Sequence, residues 1–302
     1  MCVLYYIGID IGGTNIKYGL LDETGLILDR GKAKTVRDDG NAIIAKIEEV
    51  TATYKAQYDI SAVGVSAPGS IRDDGFMITG GAILDFYAIN LKDILQTKLG
   101  VPVYLENDAN CAALAELWQG SAKGKRHFLT VVVGTGVGGA IVINEQLFTG
   151  ANAGAGEFGY MLVDPIAFGD TRRSTLSLSG SIGLGVVEKY ALRTGKEGLD
   201  GKQIFDLAEA GDVAAVGVVN GFYDRLAAGL FNLSTSFDPE VILIGGAIST
   251  NVDFIAEING RMARLQAGHK DMGNVVLPRV EACHFQNDAG IVGAVYKAIS
   301  GN

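Results

Sequence analysis

Tyr5-Tyr-Ile-Gly-Ile-Asp-Ile-Gly-Gly-Thr-Asn-Ile-Lys-Tyr-Gly-Leu-Leu21 is the stretch whose reading decides the fold. An apolar, β-branched run ends in a single acid, Asp10. Gly12-Gly13-Thr14 follow as a turn, where glycine adopts positive φ without steric cost. Ile16, Tyr18 and Leu20 then alternate with Asn15, Lys17 and Gly19, the period of a second strand. The stretch therefore predicts a hairpin. A Walker loop would need Gly-Lys-Ser/Thr and a dinucleotide fingerprint Gly-x-Gly-x-x-Gly, each opening a helix, so both are excluded. A strand–turn–strand loop with an acid at its entrance can still hold phosphate through backbone N–H groups, with Asp10 placed to hold Mg²⁺ through water.

The chain makes this device twice. Phe128–Gly134 reads as a strand, Thr135-Gly-Val-Gly-Gly139 as a glycine turn and Ala140–Ile143 as the return strand. A third strand, Val241–Ala247, ends in Gly245-Gly246, where backbone can approach a base or ribose closely. This set and order resembles the actin-like ATPase superfamily of hexokinases, Hsp70-type chaperones and actin. The resemblance implies an α/β, actin-like ATPase (ribonuclease H-like) fold, with two α/β lobes and a nucleotide and sugar cleft between them.

Composition narrows the classes. At 302 residues and 48% hydrophobic, the chain can bury a core in each of two lobes. Its 42 glycines, twice the usual share of ~7%, demand many tight turns or close backbone approaches. A net charge of −9 argues against a nucleic-acid partner, whose phosphates call for a basic surface. Cys2, Cys111 and Cys283 are scattered, with no Cys-x-x-Cys pair, so neither a disulfide framework nor a thiolate zinc site is expected. Cys111 reads as a small buried residue on a helix. His127, His269 and His284 are equally dispersed. No basic segment precedes an apolar one at the start, and glycines interrupt every long apolar run, so the expectation is a cytoplasmic protein without membrane attachment.

In chain order, Leu26–Lys34 predicts a third strand and Asn41–Tyr58 a helix, with Ile43, Ile44, Ile47, Val50 and Tyr54 at helical spacing. Ile60–Val65 is a strand ending at Ser66-Ala-Pro-Gly69. Ile71–Thr79 reads as a small hairpin over Asp73-Asp74-Gly75, followed by a helix, Leu91–Leu99. Val101–Leu105 is a strand, and Glu106-Asn-Asp-Ala-Asn110 opens an alanine-rich helix to Trp118. The lobe boundary falls near Gln119–Lys125, giving a small lobe of residues 1–118 plus 288–302 and a large lobe of 119–287. Thr149–Tyr160 reads as a long mobile loop, Val213–Phe237 as an apolar helix, and Ala289–Ile299 as a last helix returning to the first lobe.

Asp108 is the candidate catalytic group. At a strand-to-helix junction, Asn and Asp are ordinary N-caps. Phosphoryl transfer to an alcohol, however, needs a carboxylate to orient the hydroxyl and accept its proton. A helix N-terminus would keep that carboxylate ionised. Capping and catalysis are compatible, and Asn107 could hydrogen-bond a neighbouring hydroxyl. Glu157 sits in a glycine-rich loop, where an acid is ordinarily only solvated, but where one could also close over a polyol.

Asp10-Ile-Gly-Gly-Thr14, Glu106–Asn110, Gly134-Thr-Gly-Val-Gly-Gly139, Gly156-Glu-Phe-Gly159 and Ile244-Gly-Gly-Ala247 together resemble the motif series of the ROK family of bacterial sugar kinases, over residues 6 to 298. That resemblance implies ATP and Mg²⁺, with Asp108 as general base. Asn107, Glu157, Gly69 and Tyr160 would bind the sugar. Gly12, Gly13, Thr14, Asn15, Lys17, Thr135, Gly136 and Gly138 would lie along the phosphates, and Gly245 and Gly246 at the adenosine. Most of the family carries His where Tyr160 stands and then a cysteine-rich zinc segment. Asp164–Ser181 has neither Cys nor His, so no zinc site is expected. The family's second sugar-binding Glu has no counterpart in Ser174–Ser179.

Within the family, Ser66–Gly69, Ile78–Ile83 and Gly156–Met161 look most like the zinc-free β-glucoside kinases. These phosphorylate the 6-hydroxyl of the non-reducing glucose of cellobiose and related glucosides. Tyr160, with Phe86 or Tyr87, would then offer aromatic faces to a second ring. A glucokinase or an N-acetylmannosamine kinase is the alternative. A non-catalytic sugar-sensing regulator fits less well, since such repressors put a DNA-binding segment ahead of the first phosphate motif. A homodimer is compatible with the resemblance.

Overall fold

The computed structural model describes residues 3–37, 39–166 and 168–301; Cys2 lies outside them. The chain divides into two compact units. The first takes residues up to Gly124, Leu147–Ala155 and the stretch from His284 onward; the second takes Lys125–Gln146 and Gly156–Cys283.

The first unit starts with β1 (Tyr5–Ile11), β2 (Asn15–Asp22) and β3 (Ile27–Lys34), joined as antiparallel neighbours. Helix α1 (Gly40–Lys55) is capped by Asp39, whose carboxylate accepts the Ala42 N–H. Then come β4 (Ile60–Ala67), two short strands β5 (Phe76–Met77) and β6 (Ile89–Asn90), helix α2 (Leu91–Leu99), β7 (Val103–Asn107) and helix α3 (Asp108–Gln119). The main sheet runs β3-β2-β1-β4-β7, with β4 parallel to β1 and β7 parallel to β4. The expected hairpin over Asp73-Asp74-Gly75 forms only in part. Its turn closes through Gly75 N–H to the Arg72 carbonyl, and Ile71 bridges Met77, but Phe76–Met77 finds its strand partner in Ile89–Asn90.

In the second unit β8 (His127–Val133), β9 (Val137–Ile143) and β10 (Gln146–Leu147) are followed by short helices α4 (Leu176–Ser179) and α5 (Lys189–Thr194). Then come α6 (Gly201–Glu209), the 25-residue α7 (Val213–Phe237), β11 (Val241–Gly245), α8 (Val252–Ala267) and β12 (Arg279–Ala282). The sheet order is β10-β9-β8-β11-β12, again two antiparallel steps and then two parallel ones. The glycine turn is tighter than Thr135–Gly139. It closes through Gly134 N–H to the Gly136 carbonyl, and Gly138 and Gly139 already pair with Val132 and Val131 in the sheet. Thr149–Tyr160 is folded into turns and ends in a single 3₁₀ turn, Phe158–Tyr160, anchored by the buried Phe158.

The final helix α9 (Ala289–Ser300) belongs to the first unit. Strand period places Ile7, Ile9 and Ile11 against α1 and α2, and Tyr6 and Gly8 on the face covered by α9. The approach is backbone to backbone. A Cβ on Gly293 would lie 1.8 Å from the Cys111 carbonyl oxygen, and one on Gly64 would lie 2.0 Å from that of Ala294. Cys111 is indeed buried on α3, and burial pushes its thiol well above the ordinary range. Trp118 and Tyr296 stack with ring centroids 5.2 Å apart, closing the same seam.

Candidate functional site

Three parallel strands of the first unit end side by side. The register pairs Asp10 with Ser66, Ser66 with Glu106, and Ala67 with Asn107. Ligands bind where such carboxyl ends meet, because the loops beyond them are unpaired. Asp10, the Pro68-Gly69 turn and Asn107-Asp108 therefore come together.

Ser66 Oγ donates to Asp10 Oδ1 at 2.9 Å and Lys17 Nζ to Oδ2 at 3.2 Å. Lys17 also donates to the Asn287 carbonyl at 3.0 Å. A carboxylate offers about four lone-pair positions, so Asp10 keeps acceptors for the waters of a hydrated Mg²⁺. The adjoining turn is fixed by Gly12 N–H to the Asn15 carbonyl, and by Thr35, whose hydroxyl donates to the Gly12 carbonyl at 2.6 Å and whose N–H donates to that of Thr14. Thr14 is exposed at the tip, while Asn15 already pairs with Lys34 in the sheet. Arg37, which sequence reasoning missed, donates through Nε to the Gly13 carbonyl and brings a cation to the turn. Only the folding-back of the chain after β3 could reveal it.

Asn107, not Asp108, caps α3. Its Oδ1 accepts the Ala109 and Asn110 N–H groups at 2.9 and 3.1 Å, and its Nδ2 donates to the Gly69 carbonyl at 2.8 Å. Gly69 thus acts through its carbonyl, orienting Asn107 and leaving one amide hydrogen for a ligand hydroxyl. Asp108 is the first helical residue, with Oδ1 accepting the Ala109 N–H at 2.8 Å. Behind them, Glu106 Oε1 accepts the Asn107 N–H and Asn110 Nδ2, both at 2.9 Å. Its Oε2 accepts Lys297 Nζ from α9, also at 2.9 Å.

The second unit holds a cavity of about 650 Å³ at the ends of β8 and β11, within the usual range for small-ligand sites. Thr135 lines it, and the loop that begins at Gly246 supplies Ala247 and Ile248. From α6 come Gly201, Lys202 and Phe205. Gly245 and Gly246 lead into it; Gly246 has φ +93°, and a Cβ there would sit 2.2 Å from the Val133 carbonyl. The α6 contribution was not legible beforehand. Its signal is the capping box of Asp200 and Gln203, which places a helix N-terminus, but not the neighbour it faces. The phosphate-type turn is held by backbone. The Gly134 carbonyl accepts the Ile182 and Gly183 N–H groups, and that of Thr135 accepts Ser181 Oγ and the Leu184 N–H.

Glu157 and Tyr160 are at the two ends of the 3₁₀ turn, linked by Tyr160 N–H to the Glu157 carbonyl. Desolvation pushes the Glu157 carboxyl above its ordinary value. Tyr160 is 75% exposed. Phe86, by contrast, is completely buried in the core beside α1 and α2, so it cannot offer a face to a ligand; of that pair only Tyr87 reaches the surface. Among the described residues no helix is long and apolar enough to cross a membrane.

Two sheets of the same order, each with a glycine turn between its first antiparallel pair, define an actin-like ATPase fold. The chain belongs to the ROK family, which matches residues 6–300. A β-glucoside kinase from Listeria innocua is 38% identical over 95% of this chain and 95% of its own length. The solved structure of a Listeria monocytogenes protein, provisionally assigned as an N-acetylmannosamine kinase, superposes with TM-score 0.89 at 34% identity, covering 99% of each chain. A Streptomyces griseus ROK glucokinase in complex with glucose and AMPPNP superposes with TM-score 0.78 at 29% identity, covering 96% of this chain and 97% of its own.

Proposed function

We propose that the protein transfers the γ-phosphoryl group of ATP to the 6-hydroxyl of a glucosyl unit, with β-glucosides such as cellobiose as its substrates. The observation that supports the chemistry is the register of the three parallel strands, which brings Asp10, the Pro68-Gly69 turn and Asn107-Asp108 to one sheet edge, with Asn107 as the cap of α3 and Asp108 as its first residue. Asp108 accepts the proton of the 6-hydroxyl as its oxygen attacks phosphorus, and ADP leaves with the bonding pair. Asn107 and Glu157 hold neighbouring hydroxyls, which fixes the attacking oxygen in line. The turns at Gly12–Asn15 and Thr135-Gly136 hold the phosphates through N–H groups, with Lys17 and Arg37 as cations near the first. Gly138 supports the second turn from inside β9. The cavity beside Gly245, Gly246 and Phe205 takes the nucleoside. Asp10 would hold Mg²⁺ through water, and the ion would supply charge neutralisation for the phosphates when bound. The lobe of residues 1–118 and 288–302 supplies the base and metal carboxylates, and that of 119–287 the nucleoside cavity.

The substrate follows from the similarity to the Listeria innocua kinase, together with the absence of His and of a second Glu around Tyr160. A site for glucosides must leave the anomeric end open. An ADP-release assay over cellobiose, gentiobiose, aryl β-glucosides, glucose and N-acetylmannosamine tests this. The expectation is higher kcat/KM for the glucosides. Preference for glucose or N-acetylmannosamine by tenfold, about 1.4 kcal/mol of transition-state binding, would leave the sugar kinase and remove the glucoside. The purified protein should contain no stoichiometric zinc and recover full activity after chelation with Mg²⁺ alone; elemental analysis finding zinc would refute this.

A further inference from the structure

We infer that a second cavity of the later unit, about 580 Å³ and bordered by Tyr160, Leu162, Arg172, Leu178 and Leu184, is the subsite for the aglycone of the substrate. This rests on the β-glucoside reading and gives it a place.

Position is the first support. Tyr160 borders the cavity and Glu157 begins the same single 3₁₀ turn, so the cavity starts one turn from the group that holds glucosyl hydroxyls. The buried Phe158 fixes that turn, so the spacing between the two is built in.

The chemistry of the wall is the second. Three leucines and an aromatic ring give apolar surface, which suits the C–H face of a sugar ring or an aryl group. The Arg172 guanidinium supplies a fork of donors for hydroxyl oxygens. Neighbouring polar groups are already engaged: Arg173 pairs with Asp170 at 2.9 Å, and the Thr175 hydroxyl donates to the Arg172 carbonyl at 2.8 Å. Among the described residues the wall is mainly apolar, with the Thr171, Thr175 and Ser177 hydroxyls and Arg172 as its polar groups.

The third support is a connection to the phosphate turn. Ser177, also in the wall, accepts the Val137 N–H at 3.0 Å, and Val137 begins the return strand from the Thr135 turn. Four residues on, Ser181 Oγ donates to the Thr135 carbonyl at 3.0 Å. One short segment thus forms the cavity wall and holds the turn. An occupied subsite therefore steadies the turn, and part of the aglycone's effect falls on kcat as well as KM.

The test compares kcat and KM for cellobiose, p-nitrophenyl β-glucoside, methyl β-glucoside and glucose in the wild type, Leu162→Trp and Arg172→Ala. Leu162 and Arg172 are exposed side chains, and melting curves report whether each variant is folded. Leu162→Trp should lower the cellobiose-to-methyl-glucoside ratio of kcat/KM by about tenfold, and Arg172→Ala by about threefold, as expected for lost subsite contacts. The larger aglycones should also give higher kcat than methyl β-glucoside in the wild type. Folded variants in which that ratio is unchanged would overturn the subsite while leaving the β-glucoside reading intact. A wild type that prefers glucose to all three glucosides would instead overturn that reading, and the subsite with it.

Discussion

The two sheets have the same strand order and the same glycine turn, yet they carry different chemistry. The first turn is flanked by Asp10 and Lys17, and the strand ends beside it add Ser66, Asn107 and Asp108. The second turn has no charged residue between Val133 and Ile143, and its strand ends open on a cavity bordered by Ile182, Phe205 and Ile248, with the charged Asp200, Lys202, Asp206 and Glu209 supplied by the α6 segment rather than by the strand ends. One scaffold thus serves two purposes. The proposed proton and metal chemistry needs carboxylates whose orientation is fixed, and in the first unit Asp10 and Asp108 have hydrogen-bonded partners. On the proposed function a nucleoside would meet Phe205, Ile182 and Ile248 there, with the backbone of Gly246 beside them. The difference teaches that duplicated topology sets where a ligand binds, while the side chains at the strand ends set what is done to it.

The contrast predicts that lesions at the Asn107-Asp108 strand end strike kcat and lesions in the cavity beside Gly246 strike nucleotide binding. The largest effect should come from Asp108→Asn. Because Asn107 keeps the cap, folding and the KM for ATP should be retained while kcat falls by about 10²–10⁴. A variant that melts far below wild type but still turns over would make Asp108 a structural residue only.

Next is Lys297→Met. It leaves Glu106 buried without its cation, a change that costs about 3–5 kcal/mol. Their side chains are 16% and 6% exposed, so solvent does little to screen the pair. Since Glu106 also orients Asn107, kcat should fall along with the melting temperature. Unchanged denaturant midpoints would show that the pair contributes no net stability.

Phe205→Ala probes the other unit. Phe205 lines the cavity proposed for the nucleoside and meets Phe222 and Tyr223 edge-on. The expected result is about a tenfold rise in the KM for ATP, near 1.4 kcal/mol, with kcat within about twofold. If kcat falls and the KM for ATP stays, the division between the units fails.

The smallest effect concerns Asp164. Burial raises its carboxyl, but the Ser179 hydroxyl and the Arg225 guanidinium outweigh that and hold it below the ordinary value. A depressed pKa contributes stability that is present above the unfolded-state value and lost as pH falls through the folded-state value. Asp164→Asn should therefore lower the melting temperature slightly at neutral pH and converge with wild type in acid. Parallel melting curves across that range would remove Asp164 as a pH-dependent contact.

Much of the fold was legible because its signals are local. The helix over Leu91–Leu99 and that over Val213–Phe237 are where apolar spacing put them, and both glycine turns follow from runs of a few residues. The strand-end positions of Asp10, Asn107, Asp108 and Gly245 were legible the same way, from residue types where strands stop. Three things were decided only by packing. Phe86 and Tyr87 are adjacent aromatics with no difference in local pattern, and the core took one of them. Phe76–Met77 keeps the expected bridge to Ile71 on one side and gains Ile89–Asn90, some twelve residues on, as a strand partner on the other, a pairing no local pattern announces. The ion pair that supports Asn107 joins residues 191 positions apart. Sequence determines where chain direction and side-chain period change, since these depend on neighbours. Which distant groups meet, and so which side chain caps a helix and which acid is held by a distant cation, is settled when the two faces of each sheet are covered.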